Sequence, residues 1–117
     1  MSYKRSEVYK LGFRLAILTE QLCRGIPRHE QYCLAQQLRN SSRSIVANYV
    51  EGYVRQTTSI KDHRRFMIYS QGSCDETKYW LELAKAIDLI QPESVEELLK
   101  GYARLGRLIY SVLSRSS

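Results

Sequence analysis

The sequence predicts an all-α protein, an antiparallel up-down bundle of four helices, and three observations support this. Apolar residues recur at spacings of three and four over long stretches, which is typical of helices with one buried face. No stretch of useful length alternates apolar and polar residues as a half-buried strand does. Only two prolines, Pro27 and Pro92, interrupt the 117 residues, and both lie where the helical spacing breaks. Short loops between long helices favour antiparallel neighbours, and the length fits a single domain over residues 1–117.

The first predicted helix runs from about Ser6 to Cys23, and Gly25 and Pro27 suit its end. Its predicted core stripe consists of leucines at helical spacing, Leu11, Leu15, Leu18 and Leu22. Further apolar residues widen this stripe, namely Val8, Phe13, Ala16 and Ile17.

The second predicted helix begins near His29 or Glu30, continues to about Arg55 and organises the fold. Its core face combines large apolar residues with two serines: Leu34, Leu38, Ser41, Ser42, Ile45 and Tyr49. Because serine is small, a neighbouring helix can approach closely there, and buried polar groups must find partners. We therefore expect residues 34–52 to be packed tightly and held in register by hydrogen bonds.

The third predicted helix runs from Ile60 to about Ile90, with Ser59 and Asp62 forming an approximate capping box at its start. Its predicted seam is Phe66, Ser70, Ser73, Thr77, Trp80, Ala84 and Ile87, beside a second row of Met67, Cys74 and Leu81.

The fourth predicted helix follows Pro92, with a capping box of Ser94 and Glu97. Its seam has the heptad spacing of bundle packing: Val95, Leu98, Tyr102, Leu105, Ile109 and Val112. Several apolar residues lie off the main stripes of the last two helices: Tyr69, Leu83, Ile90, Leu99, Leu108 and Leu113. This surplus fits either a subunit interface or helices that bury a wider arc, and the pattern alone leaves both open.

The residue constellations of enzymes are missing from the sequence. It contains no Gly-rich phosphate loop and no Glu-x-x-His pair of the di-iron bundles, and it has two histidines, His29 and His63. The three cysteines form no C-x-x-C pair and are predicted to be buried free thiols in a reducing compartment. We expect no enzymatic activity, no cofactor and no metal. No apolar run is long enough for a membrane span and no secretory signal is present, so a cytoplasmic location is expected.

Positive charge is the feature that points to a partner. The net charge is +6, and residues 1–58 hold nine basic residues against four acidic ones. Basic side chains cluster at helical spacing, and the candidate phosphate-binding residues are Arg39, Arg43, Arg55, Lys61, Arg64, Arg65, Lys100, Arg104, Arg107 and Arg115. Three roles fit these clusters: a solvated helix face, nucleic-acid binding, or an adaptor surface that docks an acidic protein.

The stretch Leu34–Gly52 and the segments after it carry a motif. They resemble the bacterial four-helix-bundle family known from intervening sequences in 23S ribosomal RNA genes. The family pattern L-x-x-Q-L-R-R-A-x-x-S-I-x-x-N-I-A-E-G continues with an Arg, an R-F-L segment and A-x-G-S-x-x-E. Matching positions here are Leu34, Gln37, Leu38, Arg39, Ser44, Ile45, Asn48, Glu51, Gly52, Arg55, Arg65, Phe66, Gly72, Ser73 and Glu76. The chain departs from the pattern at Asn40-Ser41, Tyr49-Val50 and Ser70, and the loss of an Arg at 40 weakens any phosphate-binding role there.

The resemblance implies a ring-like homopentamer of up-down bundles. It extends to the accessory variability determinants of diversity-generating retroelements, which bind nucleic acid and a reverse transcriptase. It implies that the surface Arg and Lys residues hold phosphates. It assigns structural or interface roles to Ser44, Asn48, Glu51, Gly52, Gly72, Ser73 and Glu76.

Overall fold

The computed structural model describes residues 2–116 and contains four α-helices. They are α1 (Glu7–Arg24), α2 (Leu34–Val54), α3 (Ile60–Ala86) and α4 (Pro92–Arg115). Short 3-10 turns at Tyr3–Arg5 and Arg28–Glu30 precede α1 and α2. The described residues contain no strand, and the prediction of an all-α, four-helix fold is confirmed. None of the helices within residues 2–116 is long and apolar enough to cross a membrane.

Each helix packs against two others around one core: α1 contacts α2, α2 contacts α3, α3 contacts α4, and α4 contacts α1. The result is an elongated body of 45 × 23 × 20 Å. The core faces predicted for α2 and α4 are buried, except that Val112 is only partly so. In α3 the second row forms the core centre, because Met67, Cys74 and Leu81 have no exposed surface.

Part of the predicted core is exposed, however. Phe13, Ile17 and Leu18 lie on the surface of α1, and the buried residues of that helix are Val8, Gly12, Leu15, Thr19 and Cys23. The α1 stripe is therefore rotated from the predicted one. In α3 the predicted seam residue Ile87 is exposed because the helix has already ended.

The start of α2 was predicted too early. The helix begins at Leu34, because Gln31 turns back and its Nε2 donates to the carbonyls of Cys23 and Ile26 at 2.8 and 2.7 Å. The Cys23 carbonyl also accepts from the Ile26 amide at 3.1 Å, so Gln31 ties the turn that follows α1 to the last turn of that helix. Gln31, which was predicted to lie within α2, therefore stabilises the end of α1 instead.

The predicted ends of α3 and α4 also need correction, whereas the Ser59 cap is confirmed. The Asp62 amide donates to Ser59 Oγ at 3.1 Å. α3 ends at Ala86 because Asp88 is left-handed (φ 60°), and the Leu89 amide bonds to the Ala84 carbonyl at 2.9 Å. This geometry is a Schellman ending with aspartate in the position that usually holds glycine. The capping box at Ser94 is wrong: α4 starts at Pro92, whose missing N–H needs no partner in the first turn.

Small residues and hydrogen bonds hold α2 against α3. The Ser70 hydroxyl donates to the Ile45 carbonyl at 2.6 Å, and Thr77 Oγ1 donates to Ser41 Oγ at 2.9 Å. Ser73 Oγ donates to Ser44 Oγ at 2.9 Å. The same Ser44 oxygen also accepts from Asn48 Nδ2 at 2.8 Å. Higher-numbered residues of α3 thus bond to lower-numbered residues of α2.

The opposite side of the core joins α1 to α4 through one tyrosine. Tyr102 is fully buried, its hydroxyl donates to the Leu15 carbonyl at 3.2 Å, and it shares a 2.6 Å hydrogen bond with Thr19 Oγ1. Burial raises the pKa of Tyr102 far above its usual range, so the hydroxyl stays protonated.

Two of the three cysteines are buried as predicted, and one is not. Cys23 and Cys74 are buried, and burial raises the pKa of each thiol to about 11. Cys33 is exposed, because it lies in the turn before α2 rather than on a helix face.

The glycines of α2 and α3 differ in what surrounds them. A Cβ on Gly52 would lie 3.1 Å from the His63 carbonyl oxygen, 3.1 Å from Phe66 Cβ and 2.8 Å from Met67 Cε. A Cβ on Gly72 would meet nothing within 4 Å. Gly52 is thus required by the packing of α3 on α2, whereas nothing within residues 2–116 approaches the open side of Gly72.

This contrast gives a matched test of the packing. Gly52→Ala is expected to lower the free energy of unfolding by about 1–3 kcal/mol, because rigid backbone must move apart. In the dissociated chain, Gly72→Ala is expected to raise it by about 0.5–1 kcal/mol, because alanine favours the middle of a helix. Urea unfolding at fixed protein concentration measures both. Equal effects of the two substitutions would contradict the α2–α3 packing described here.

Candidate nucleic-acid interface

The most exposed basic group lies along α4. Lys100, Arg104 and Arg107 follow one another at i, i+4 and i+7 and therefore share a face, which points away from the core residues of the helix. Lys100 Nζ lies 4.0 Å from Glu97, and both side chains are largely exposed. Within residues 2–116 neither Arg104 nor Arg107 has a hydrogen bond or an ion pair. We call these three residues the α4 stripe.

A second basic group lies at the start of α3. Arg65 pairs with Asp62 at 3.4 Å, while Lys61 is exposed. Arg64 Nη1 donates to the Leu113 carbonyl at 2.8 Å and so completes the last turn of α4. Together with Ile68 and Tyr69, these four residues line a surface cleft of about 540 Å³.

Phe66 connects this group to the end of α2. The guanidinium carbons of Arg55 and Arg65 lie 4.9 and 5.1 Å from the centre of its ring. Arg55 Nη1 also donates to Glu51 Oε2 at 2.6 Å. Cation–π contacts of this kind hold two arginines at defined positions although both are partly exposed.

A third basic group surrounds Glu20 of α1. Its Oε1 accepts from Arg39 Nε at 2.9 Å and from Arg43 Nη2 at 3.1 Å, and its Oε2 accepts from Arg24 Nε at 3.2 Å. The hydrogen bond from Arg39 holds the pKa of the Glu20 carboxyl below its ordinary value, against the opposing effect of burial. The same bond raises the pKa of Arg39. One carboxylate pairs with three guanidiniums, so this group keeps an excess of positive charge.

The ten predicted basic residues therefore fall into separate groups rather than one patch. Arg39 and Arg43 lie against α1, and Arg55, Lys61, Arg64 and Arg65 lie where α2 meets α3. Lys100, Arg104 and Arg107 lie on α4, with Arg115 exposed at its end. Sequence reasoning missed Glu20, and it also missed Arg28 and Tyr32, which line a surface cleft together with Arg39 and Arg43. The sequence places Arg24 four residues after Glu20, but it does not indicate the partners Arg39 and Arg43, which lie 19 and 23 residues away.

The structure also shows where the residues predicted as structural or interface positions lie. Ser44, Asn48, Gly52 and Ser73 lie in the α2–α3 contact. Glu51 accepts from Arg55, and exposed Glu76 accepts from Trp80 Nε1 at 3.0 Å. Gly72 is exposed on α3.

A bundle of four helices with this charge belongs to the class of small, basic helical proteins. The sequence profile of the 23S rRNA-intervening sequence proteins matches residues 4–111. The chain belongs to that family, and the family resemblance noted from its motif is confirmed. Comparison with curated proteins gave no match.

A solved structure supports the fold. The crystal structure of a protein of unknown function from the S23 ribosomal protein family of Bacteroides thetaiotaomicron is similar, with a TM-score of 0.81. The two sequences are 23% identical, and the similarity covers 91% of this chain and 97% of that one. At this identity the likeness extends to the fold alone.

The ion pairs of Glu20 predict how the free energy of unfolding changes at acidic pH. Because the pKa of Glu20 is lowered by folding, its stabilisation is complete above the unfolded pKa of about 4.3 and is lost as the pH falls below it. Glu20→Gln is expected to lower the free energy of unfolding by about 0.5–1 kcal/mol at neutral pH. The difference between the two proteins should nearly vanish at strongly acidic pH. Urea unfolding at both pH values measures this, and a difference independent of pH would contradict it.

Proposed function

We propose that this chain is a non-enzymatic nucleic-acid-binding accessory protein that acts in the cytoplasm as a homopentamer of antiparallel up-down bundles. The α4 stripe is the observation that carries the nucleic-acid part of the proposal. Arg104 and Arg107 are exposed and have no acidic partner within residues 2–116, so both guanidiniums are available for phosphate oxygens.

The chemistry of these groups favours binding by charge with little reading of base sequence. Arginine and lysine contacts to phosphates release counterions, which makes the affinity strongly dependent on salt. Five chains of net charge +6 would carry about +30 on one particle. Several weak sites on one particle then act together through effective concentration.

The surface of α3 supports assembly. Ile68, Gly72 and Tyr79 are exposed at i, i+4 and i+11 and share one face, with Ile68 52% and Tyr79 55% exposed. Gly72 leaves room on this face for another chain. The predicted surplus of apolar residues gives less support. Of its six members only Tyr69 is exposed, and Ile90, Leu99, Leu108 and Leu113 pack against the core of the same chain.

Two biological settings fit the proposal. Family membership favours a role connected with intervening sequences in 23S ribosomal RNA. The resemblance to accessory variability determinants suggests a reverse transcriptase as a further partner. An adaptor that docks an acidic protein is the alternative, since an uncompensated basic stripe would also suit such a partner.

The first test measures binding of a labelled duplex at several salt concentrations. The chain should bind at low salt, and the logarithm of its affinity should fall linearly with the logarithm of salt concentration. In the double variant Arg104→Gln with Arg107→Gln, the slope should decrease by about 1 for each arginine that contacts a phosphate.

The control removes the same charge elsewhere. Lys78→Gln with Lys85→Gln removes two lysines that already pair with Asp75 and Glu96. This variant should change the slope much less than the α4 variant does. Absence of binding at low salt would defeat the nucleic-acid proposal and leave the adaptor alternative.

A second test addresses the oligomer. Ile68→Glu should convert the assembly to smaller species in light scattering, because it places a charge on the exposed apolar face of α3. Ile87→Glu changes the same residue type at nearly equal exposure (50%), away from that face, and should leave the mass unchanged. A wild-type chain that is monomeric at micromolar concentration would contradict the pentamer.

A further inference from the structure

A cleft of about 480 Å³ lies between the turn before α2 and the first half of that helix. Its lining includes three arginines, Arg28, Arg39 and Arg43, and the ring of Tyr32. The remaining lining residues are amides, and none is acidic. This combination of cations, amides and one aromatic ring is unlike the other basic groups of the molecule.

Arg39 forms the fixed part of the cleft. Its Nε bonds to Glu20, and its Nη1 donates to Gln31 Oε1 at 2.9 Å. Gln31 is itself anchored by its two hydrogen bonds to the end of α1. A guanidinium held on two sides loses little conformational freedom when an anion binds beside it.

The charge in and beneath the cleft is unbalanced. Glu20 lies outside the lining and is shared by Arg24, Arg39 and Arg43. Arg28 is exposed and has no acidic partner within residues 2–116. A phosphate in the cleft would provide the missing negative charge, and guanidiniums bind phosphate through paired N–H donors.

Tyr32 adds an exposed aromatic ring to the arginines of this cleft. It is 88% exposed, the highest value among the large apolar residues of the described chain. Such a ring offers a face on which an unstacked base can lie. Gln36 and Asn40 follow at i, i+4 spacing on exposed positions of α2, and neither side chain has a hydrogen bond within residues 2–116. Amide side chains can both donate to and accept from the edge of a base.

We propose that this cleft binds one nucleotide of a single strand, with the phosphate held by Arg28 and Arg43 beside the fixed guanidinium of Arg39 and the base stacked on Tyr32. The inference rests on the proposed nucleic-acid function and adds to it a preference for unpaired strands. A base inside a duplex is already stacked on its neighbours, so Tyr32 cannot contact its face there.

The experiment compares two labelled probes at low salt, oligouridylate as an unstacked single strand and the same oligomer paired with oligoadenylate. Tyr32→Leu is expected to weaken binding of the single strand by about tenfold. It should leave duplex binding nearly unchanged. Tyr32→Phe keeps the aromatic ring and should retain the wild-type affinity for both probes. Because the side chain is almost wholly exposed, neither substitution disturbs the packed core.

A competition experiment separates a nucleotide site from a simple anion site. Adenosine monophosphate should displace the single-stranded probe at a lower concentration than inorganic phosphate, and Tyr32→Leu should remove that advantage. The nucleotide site in the cleft would be overturned if Tyr32→Leu weakened binding of both probes equally, or of neither, while the wild-type protein still bound the duplex. Failure of the wild-type protein to bind either probe would instead overturn the proposed function itself.

Discussion

The close approach of α2 and α3 is the constraint on which the rest of this structure depends. Gly52 allows it near one end of the contact, and the Thr77–Ser41 hydrogen bond lies toward the other. Between them the Ser70 hydroxyl bonds to a backbone carbonyl in the buried seam. A shift of one helix along the other would leave these buried polar groups unpaired, at about 1–3 kcal/mol for each group. The hydrogen bonds therefore fix the register, and the small side chains fix the distance.

The fold could be predicted where apolar residues alone form the core, and less well where polar residues take part. The α4 seam was correct because five of its six members are large apolar residues that reach the interior. The α1 stripe was rotated because Thr19 is buried while Phe13 and Ile17 are exposed. Hydrophobicity cannot reveal that Thr19 is stabilised inside by Tyr102, which lies 83 residues further along the chain. The start of α2 was missed for a similar reason, since it depends on the folding back of Gln31.

The candidate site shows the same division between local and long-range information. Helical spacing alone was sufficient to place Lys100, Arg104 and Arg107 on one face of α4. It could not indicate that Arg64 completes the end of α4 or that Arg39 and Arg43 join Arg24 at Glu20, because those partners are distant in sequence. Tyr32 was one of nine tyrosines, and only the turn that carries it exposes its ring so fully.

Some basic residues have a structural role in the fold and others have none, and this difference connects assembly to binding. Arg39 and Arg64 make hydrogen bonds that join helices, so their charges are fixed in place by the fold. Arg28, Arg104 and Arg107 have no such role among the described residues. In the proposed pentamer these free charges would repel one another across five chains, since like charges oppose compaction. A polyanion that binds them removes this repulsion and favours the assembled form by mass action. Nucleic acid would then be both the ligand of the particle and a further source of its stability.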